Sequence, residues 1–334
     1  MTSTDIAASV GVVVIGRNEG ERLKRCLGAL AVPHNQVVYV DSGSTDGSIE
    51  WSRQNGFRVV ELDRSKPFSA GRARNAGFTA LLGGGLGNFE FVQFIDGDCE
   101  VNSMWMDKAV TFLRSRDDVA AVCGLRRERF PERSVYNRLC DVEWNTPVGP
   151  AQATGGDSMM RVAAITKVGN FNPDLMAGEE PELCLRLRAQ GYNIWRLDAD
   201  MTVHDANMMH LSQWMRRSRR CGFGFAQVAW LHRKTSTMWW REIGRALLWA
   251  LAIPIVILII TFFTPWGLLL LLIYPLQVVR IAARQGITSL IQWQDALFMT
   301  TMGKFGECAG ILQFAYQTWK KQDTELIEYK NLAP

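Results

Sequence analysis

Two aspartates that are one residue apart, Asp96 and Asp98, follow the mostly apolar run Phe91–Ile95. A run of this length and β-prone composition predicts a buried strand that ends at the acidic pair. Both carboxylates would then emerge at the carboxyl edge of a sheet, where open α/β sheets bind ligands. Two hard oxygen donors so close together suit Mg²⁺ or Mn²⁺ carrying a phosphate. The alternative is an acidic turn without a ligand, because Asp-Gly is also common turn chemistry.

Other polar side chains also follow predicted strands. Asn18 and Glu19 come after the β-branched run Val10–Ile15, and Asp41 comes after Gln36–Val40. The carboxyl ends of the strands form the ligand edge of an open α/β sheet, so these side chains are candidates for the same site. No G-x-G-x-x-G follows the first strand, so the dinucleotide-binding fingerprint is absent.

The elements that position these residues alternate between strand and helix four or five times. This alternation predicts an α/β fold, with a parallel sheet and helices on both faces. The predicted strands are Val10–Ile15, Gln36–Val40, Phe57–Leu62, a strand ending at Asp96, Val119–Cys123 and Asn193–Asp198. The predicted helices are Glu21–Leu30, Ser69–Leu82, Ser103–Arg114 and a helix from Gly178 through Gln190.

Glycine-rich and basic segments connect these elements. Gly155 and Gly156 would let the backbone approach a ligand closely. The segment Gly83–Gly87 follows a helix and precedes a strand, which is the reverse of the order in a phosphate-binding loop, so we expect a connector there. The basic segment Arg126–Arg133 is expected to be mobile.

The composition limits the classes of partner and the compartment. The chain has 334 residues, which allows one large domain or two, and its net charge of +4 is too small to indicate a nucleic-acid partner. The first eleven residues contain no basic region followed by an apolar one, so no signal peptide is predicted. The seven cysteines form no CxxC pair or zinc pattern, and we expect free thiols in a reducing cytosol.

Taken together, the motifs resemble those of family 2 glycosyltransferases, the large inverting group with the GT-A fold. The resemblance covers roughly residues 10–232, with six marks in the expected order. They are Arg17-Asn18-Glu19, the loop Val40–Ser48, Ala73–Gly77, Asp96-Gly97-Asp98, Gly155-Gly156-Asp157, and Gly178-Glu179-Glu180 followed by Leu183 and Leu185-Arg186.

The resemblance implies a nucleotide-sugar donor, of the UDP- or GDP-sugar type, and Mn²⁺ or Mg²⁺. Asp41 is similar to the carboxylate that contacts the nucleobase or ribose, and Asp96 to the aspartate near the ribose and sugar. Asp98 is similar to the residue that binds the metal. His204 is either a further metal ligand or a structural histidine. The remaining residues implied on the donor side are Asn18, Glu19, Arg74, Asn75, Gly155 and Gly156.

The resemblance also implies a catalytic base. The base position is usually an aspartate in the family and is Glu180 here, while Glu179 is the competing candidate and an alternative acceptor contact. The base would take the proton of an acceptor hydroxyl as that oxygen attacks the anomeric carbon, and such a group typically contributes about 10²–10⁴ in rate. A direct displacement of this kind inverts the anomeric centre and needs no nucleophilic carboxylate.

A dense basic run precedes the last third of the chain, from Gln213 to Arg220. Processive polysaccharide synthases of the family carry Gln-x-x-Arg-Trp at this point. This chain has Gln213 and Arg216, but Arg217 stands in place of the tryptophan, which weakens a processive interpretation. The arginines could hold a diphosphate, face anionic lipid head groups, or form a solvated helix face.

The last hundred residues contain an apolar tail. Residues 246–279 hold no charged side chain, and we expect a helical hairpin, spanning or re-entrant, in a membrane. Arginines flank the hairpin at both ends. The positive-inside rule favours this arrangement when both ends of a hairpin lie in the cytoplasm. Amphipathic helices are expected over about 287–320. The alternative is a hairpin buried in a protein core.

We therefore predict two domains, a GT-A catalytic domain over 1–232 and a membrane-associated helical region over 233–334. The predicted activity is inverting, metal-dependent transfer of one sugar to a lipid-linked or glycan acceptor, in the biosynthesis of cell-surface polysaccharide or glycolipid. The predicted location is the inner membrane, with the catalytic domain facing the cytoplasm. The alternatives are a processive polysaccharide synthase and an inactive membrane scaffold that binds a nucleotide-sugar.

Overall fold

The computed structural model describes residues 9–83, 88–285 and 289–320. The N-terminal segment, most of the predicted Gly83–Gly87 connector and the first residues of the predicted amphipathic region lie outside the described residues. The described chain divides into two compact units. The first contains the residues up to Arg129 together with Asp141–Leu175 and Glu179–Ala206, and the second contains Phe130–Cys140, Met176–Gly178 and the residues from Asn207.

The first unit is built on a mixed sheet of nine strands. The spatial order is β3-β2-β1-β4-β8-β6-β9-β5, and β7 pairs with β9 outside this path. Strands β1 to β4 pair in parallel, as do β6 and β9, whereas β5, β7 and β8 run antiparallel to their neighbours. The strands are β1 Val10–Gly16, β2 Val37–Asp41, β3 Arg58–Glu61, β4 Phe91–Asp96, β5 Cys99–Val101, β6 Val119–Glu128, β7 Gly149–Ala151, β8 Ser158–Arg161 and β9 Asn193–His204.

Helices cover both faces of this sheet because the central strands are apolar on both sides. Val12 and Val14 of β1 belong to one buried cluster, and Val13 and Ile15 belong to the cluster on the opposite face. This is the pattern of a buried parallel strand. The helices of this unit are Glu21–Gly28, Ser48–Gln54, Ala70–Gly83, Trp105–Ser115, Val162–Lys167 and Glu179–Ala189, together with the last residues of the helix Val135–Trp144.

The second unit contains a close pair of long helices, Leu211–Leu231 and Gly303–Lys320. A Cβ atom at Gly222 would clash with the carbonyl of Glu307, and one at Gly310 would clash with the carbonyl of Arg219. Only glycine allows the two backbones to approach so closely. The other helical segments of this unit include Pro131–Arg133, the first residues of Val135–Trp144, Trp240–Leu247, Leu248–Ala252, Ile253–Phe263, Pro265–Leu272, Ile273–Gln285, Leu290–Leu297 and Phe298–Met302.

The predicted apolar hairpin is present as two helical stretches, Trp240–Phe263 and Pro265–Ala283. They contain 24 and 19 residues and are long and apolar enough to cross a membrane. The hydroxyl of Tyr274 donates a hydrogen bond of 2.8 Å to the carbonyl of Trp249, so the two stretches lie side by side.

The basic run forms the first half of the helix Leu211–Leu231. The Gln213 side chain accepts hydrogen bonds from the N–H groups of Met209 (2.8 Å) and His210 (2.9 Å), so it caps the helix. The guanidinium of Arg217 lies 5.4 Å from the ring centre of Trp214, which is buried. Both residues are thus engaged within their own unit.

Candidate functional site

A single buried guanidinium joins three of the predicted carboxylates. Arg74 lies on the helix Ala70–Gly83 and is 2% exposed. Its Nη1 lies 2.9 Å from Glu179 Oε1 and 2.8 Å from Glu180 Oε1. Its Nη2 lies 3.0 Å from Asp96 Oδ1. Because one cation serves three carboxylates, the group has an excess of negative charge.

The two glutamates owe their position to the first turn of the helix Glu179–Ala189. Burial raises the pKa of Glu180 to about 7 against the opposing effect of Arg74, and the carboxylates of Glu179 and Asp96 add to the increase. A carboxyl group with a pKa near neutrality can accept a proton efficiently from a reacting hydroxyl. Glu180 therefore has the properties of a general base.

Asp96 ends β4, and the Gly155-Gly156-Asp157 segment holds it in place. Its backbone N–H donates to Asp157 Oδ1 at 2.9 Å. A Cβ atom on Gly156 would lie 2.6 Å from Asp96 Oδ2 and 2.9 Å from Arg74 Nη2, so a side chain at this position would displace the Asp96–Arg74 pair. A Cβ on Gly155 would meet no atom within 4 Å, so that glycine borders open space.

Asp98, His204 and Glu128 form a second buried group next to the first. His204 Nε2 lies 3.2 Å from Asp98 Oδ2, and Nδ1 lies 3.1 Å from Glu128 Oε2. The edge of the Trp144 ring packs on the imidazole, with 4.6 Å between the ring centres. A carboxylate on one ring nitrogen fixes the tautomer and directs the other nitrogen towards a metal. Asp98 and His204 therefore fit a divalent cation, and no motif in the sequence indicates the contribution of Glu128.

The structure also assigns Arg126 to this region, where the sequence predicted a mobile basic segment. That prediction is wrong for the first residues of the segment, because β6 continues through Glu128. Arg126 Nη2 lies 3.7 Å from Asp96 Oδ2, and its guanidinium lies 4.5 Å from the ring centre of Trp144. Nearby carboxylates, Asp157 foremost, raise the pKa of Arg126 although burial opposes this effect. The residue is a permanent positive charge beside Asp96.

Asp41 lies at the end of β2 and binds its own loop. It is fully buried, and its Oδ1 accepts hydrogen bonds from the N–H groups of Gly43 (2.8 Å) and Ser44 (2.7 Å). Its Oδ2 accepts from the hydroxyls of Tyr39 (2.7 Å) and Ser44 (2.5 Å). A carboxylate has about four acceptor positions, so Asp41 first of all shapes the loop that follows β2.

Asn18 and Glu19 lie beside that loop. The N–H of Asn18 donates to Ser44 Oγ at 2.9 Å, and its side-chain oxygen accepts from the N–H of Thr45 at 2.8 Å. Glu19 pairs with Arg22 at 2.8 Å. The loops after β1 and β2 are thus joined into one surface at the carboxyl edge, as predicted.

Asn75 differs from the other predicted donor-side residues. Its side-chain N–H donates to the carbonyl of Phe171 at 2.8 Å, and its side-chain oxygen accepts from the N–H of Phe171 at 3.1 Å. Both polar groups of the amide are therefore used on the backbone of one residue. The structure brings Arg74, Asp96, Glu179, Glu180 and Gly156 together, whereas the amide of Asn75 is engaged by the backbone of Phe171.

Comparison with known proteins gives three findings. Residues 11–155 match the family model described as Glycosyl transferase family 2. The protein named Glycosyltransferase AglE, from Haloferax volcanii, is 25% identical over 248 residues, which are 70% of this chain and 77% of that protein. The succinoglycan biosynthesis protein ExoA, from Rhizobium meliloti, is 26% identical over 218 residues, which are 61% of this chain and 66% of that protein.

A solved structure resembles this chain over most of its length. It is the mannosyltransferase PcManGT from Pyrobaculum calidifontis, in complex with GDP-Man and Mn²⁺. The TM-score is 0.55 at 18% sequence identity, and the alignment covers 94% of this chain and 88% of that one. The likeness concerns the fold.

Proposed function

We propose that this chain, whose residues 11–155 match the model of glycosyl transferase family 2 and whose fold is similar to that of PcManGT, is a glycosyltransferase that transfers a single sugar from a nucleotide-sugar with inversion. The acceptor is a lipid-linked or glycan hydroxyl. The product belongs to a cell-surface polysaccharide or glycolipid, a proposal to which the likeness to ExoA contributes.

One observation carries this proposal: the carboxyl of Glu180, with its pKa of about 7, shares Arg74 with Asp96. In the proposed step the acceptor oxygen forms a bond to the anomeric carbon and its proton passes to Glu180. The bond from that carbon to the diphosphate oxygen breaks, and the nucleoside diphosphate leaves. Glu180 is preferred to Glu179 as the base because its side chain is more exposed, 12% against 6%.

Asp98 and His204 would hold Mn²⁺ or Mg²⁺ in this proposal. The ion would neutralise charge on the leaving diphosphate. Arg126 places a further positive charge 3.7 Å from Asp96 Oδ2. Glu128 keeps the His204 ring oriented.

The donor would lie along the carboxyl edge of the sheet. We assign the nucleobase or ribose to the loop shaped by Asp41, with the backbone of Asn18 and Glu19 beside it. We place the sugar of the donor near Asp96, where Gly155 and Gly156 allow it to approach the backbone closely and Arg74 lies behind the carboxylate. Asn75 supports the donor side of the site by holding the backbone of Phe171. A UDP- or GDP-sugar fits this assignment, and PcManGT was solved with GDP-Man.

We further propose that residues 1–232 act as the catalytic domain and residues 233–334 as a membrane-associated region. The two apolar helices Trp240–Phe263 and Pro265–Ala283 support the second assignment. An anchor would keep the catalytic domain close to a membrane-bound acceptor and so raise its effective concentration. The proposed location is the inner membrane, with the catalytic domain in the cytoplasm. Arg217 at the place of the stacking tryptophan supports single transfer over processive synthesis.

The test is the binding of a panel of nucleoside diphosphates and their sugars to detergent-purified protein, with and without Mn²⁺. We expect one nucleotide to bind in a metal-dependent manner, and Asp98→Asn to abolish the metal dependence. Asp107→Asn, a change of the same type on the helix Trp105–Ser115, is the control that retains it. If no nucleotide binds, the proposal is contradicted, and the function would then be sought in the membrane-associated region.

A further inference from the structure

Cys99 belongs to the same buried group as Asp98 and His204. It begins β5 and pairs directly with His204 of β9 in the antiparallel ladder, so both side chains project from the same face. Its Sγ lies 3.6 Å from Asp98 Oδ1. Ligand atoms of the three residues all lie within 4.8 Å of one another, and all three residues are buried. No property of the sequence pattern had singled out this thiol.

The spacing of these atoms can be compared with that of a tetrahedral centre. With Zn–S of about 2.3 Å and Zn–O and Zn–N of about 2.0–2.1 Å, tetrahedral angles place sulfur and oxygen about 3.5 Å apart and nitrogen and oxygen about 3.3 Å apart. Cys99 Sγ lies 3.6 Å from Asp98 Oδ1 and His204 Nε2 lies 3.2 Å from Asp98 Oδ2, so the sulfur and the nitrogen each face a different oxygen of one carboxylate at a comparable distance. Three protein ligands leave the fourth position for water or a substrate oxygen.

The surroundings of the group support binding of a cation. Glu128 holds Nδ1 of His204 at 3.1 Å, which is the usual arrangement behind a metal-bound imidazole. Burial raises the pKa of the Cys99 thiol well above its ordinary value, and Arg126 Nη2, which donates to Sγ at 3.3 Å, opposes this effect. A bound dication deprotonates a coordinating thiol, and the proton passes to solvent.

A neighbouring group that also contains Cys99 is less suited to a cation. It consists of Cys99, Asp96 and Asp157. The guanidinium of Arg126 lies 3.6 Å from Asp157 Oδ2 and 3.7 Å from Asp96 Oδ2, so both carboxylates of this group already face a positive charge. The same guanidinium lies 3.3 Å from Cys99 Sγ, the atom that the two groups share, and so does not separate them at that atom. Asp157 also accepts hydrogen bonds from the N–H of Asp96 and the hydroxyl of Thr202. The Asp98 group, which also contains the imidazole of His204, is therefore the better candidate.

We propose that Asp98, Cys99 and His204 form a three-ligand centre that binds Zn²⁺ or Co²⁺ through the Cys99 thiolate. Mg²⁺, which prefers oxygen donors, is held there without the sulfur. Mn²⁺ behaves like Mg²⁺ in this respect. The inference rests on the proposed function for the Asp98–His204 pair and adds the third ligand and the preference for thiophilic ions.

The test is titration of purified protein with Co²⁺, read by the thiolate-to-cobalt charge-transfer band in the near ultraviolet. We expect the band in the wild type and its loss in Cys99→Ser. We also expect the Zn²⁺ affinity of Cys99→Ser to fall by at least about 100-fold, which exceeds the usual loss when a residue that only orients a metal ligand is removed. The Mn²⁺ affinity of the same variant should change by less than about tenfold. Cys26→Ser is the matched control, because Cys26 is equally buried, packs in the apolar core and directs its Sγ towards the carbonyl of Asp96, at 3.7 Å.

The possible outcomes separate this inference from the proposed function. Wild-type protein that binds Co²⁺ without the band overturns thiolate ligation, whereas Mn²⁺-dependent nucleotide binding would still support the proposed function. Protein that binds neither Co²⁺ nor Mn²⁺ overturns both. If Cys99→Ser fails to fold while Cys26→Ser folds, Asp98→Asn is tested instead, because this variant retains every cysteine. An undiminished thiolate-to-cobalt band in Asp98→Asn would overturn the assignment of the site.

Discussion

The carboxyl edge of the sheet buries charge, whereas the apolar helices of the second unit expose hydrophobic side chains. Arg74 and Asp98 are 2% and 3% exposed. Phe262, Phe263 and Trp266 are 85%, 80% and 74% exposed. Each region reverses the usual distribution of polar and apolar residues in a protein that is surrounded by water.

The two regions differ in how the cost of this reversal is offset. Buried charges are tolerated when they are paired, and the side chain of Arg74 supplies three pairs within the chain. A large exposed apolar surface needs a cover. Within the described residues, the window of Trp240–Phe263 that qualifies as a membrane span is only 11% buried. The first region is therefore stabilised by ion pairs within the chain, while the second exposes apolar surface of the kind that a membrane would cover.

The largest expected effect concerns chemistry at the buried charges. Glu180→Gln removes the proton acceptor while keeping the size of the side chain, so kcat should fall by about 10²–10⁴. Donor affinity should change much less than kcat, since Glu180 is assigned to the acceptor proton and Arg74 keeps its pairs with Asp96 and Glu179. Single-turnover measurement of sugar transfer, with donor affinity determined in parallel, tests this. Near-normal turnover in Glu180→Gln would show that Glu180 is not the catalytic base. Glu179→Gln is expected to retain more activity than Glu180→Gln.

The next effect concerns stability of the same group. Arg74→Ala leaves buried carboxylates without their cation, and the free energy of unfolding should fall by about 3–5 kcal/mol. The control is Arg53→Ala, because Arg53 pairs with Glu61 at the surface, where the loss should be about 0–1 kcal/mol. Urea unfolding of both variants measures the difference. Equal losses would show that the buried group is not held by Arg74.

A charge placed in the apolar helices should have a somewhat smaller effect. Leu258 is 71% exposed, and Leu258→Lys should cost about 2.5–3.5 kcal/mol at the centre of a membrane-spanning helix. Met104 in the sheet unit is also exposed, at 56%, and Met104→Lys should have no such effect. The measurement is the fraction of protein recovered with membranes after an alkaline wash. If the two variants behave alike, these helices do not lie in lipid.

The smallest of these effects concerns a residue behind the metal site. Glu128→Gln weakens the orientation of His204, and Mn²⁺ affinity should fall by about 10–100-fold. Glu182→Gln is the matched control, since Glu182 is equally buried but pairs with Arg186 at 2.8 Å. Equilibrium dialysis measures both affinities. An equal fall in the two variants would indicate general destabilisation.

Much of the sheet and of the site could be predicted from the sequence. β1, β2 and β4 are short β-branched or apolar runs bounded by polar loops, and the carboxylates of Asp96 and Asp98 directly follow the last of these runs. The expected α/β fold with helices on both faces is confirmed. The cysteines are free thiols, as expected.

The remainder depends on pairing between distant parts of the chain. β6 extends into a basic stretch because Leu125–Glu128 pairs with β9, and no local pattern reveals a partner that lies more than seventy residues away. Glu128, Arg126 and Trp144 join the site only through this pairing. The use of both polar groups of Asn75 on Phe171 is equally non-local.

The most direct test of the central claim is the pH dependence of kcat/KM for sugar transfer. Glu180 can act as a base only when it is ionised, and its pKa is raised to about 7. The logarithm of kcat/KM should therefore rise with a slope of about one below pH 7 and become level above it. The rise should persist in Glu179→Gln and disappear from the residual activity of Glu180→Gln. A wild-type profile that is level from pH 5 to pH 8, or an unchanged rise in Glu180→Gln, would contradict the account.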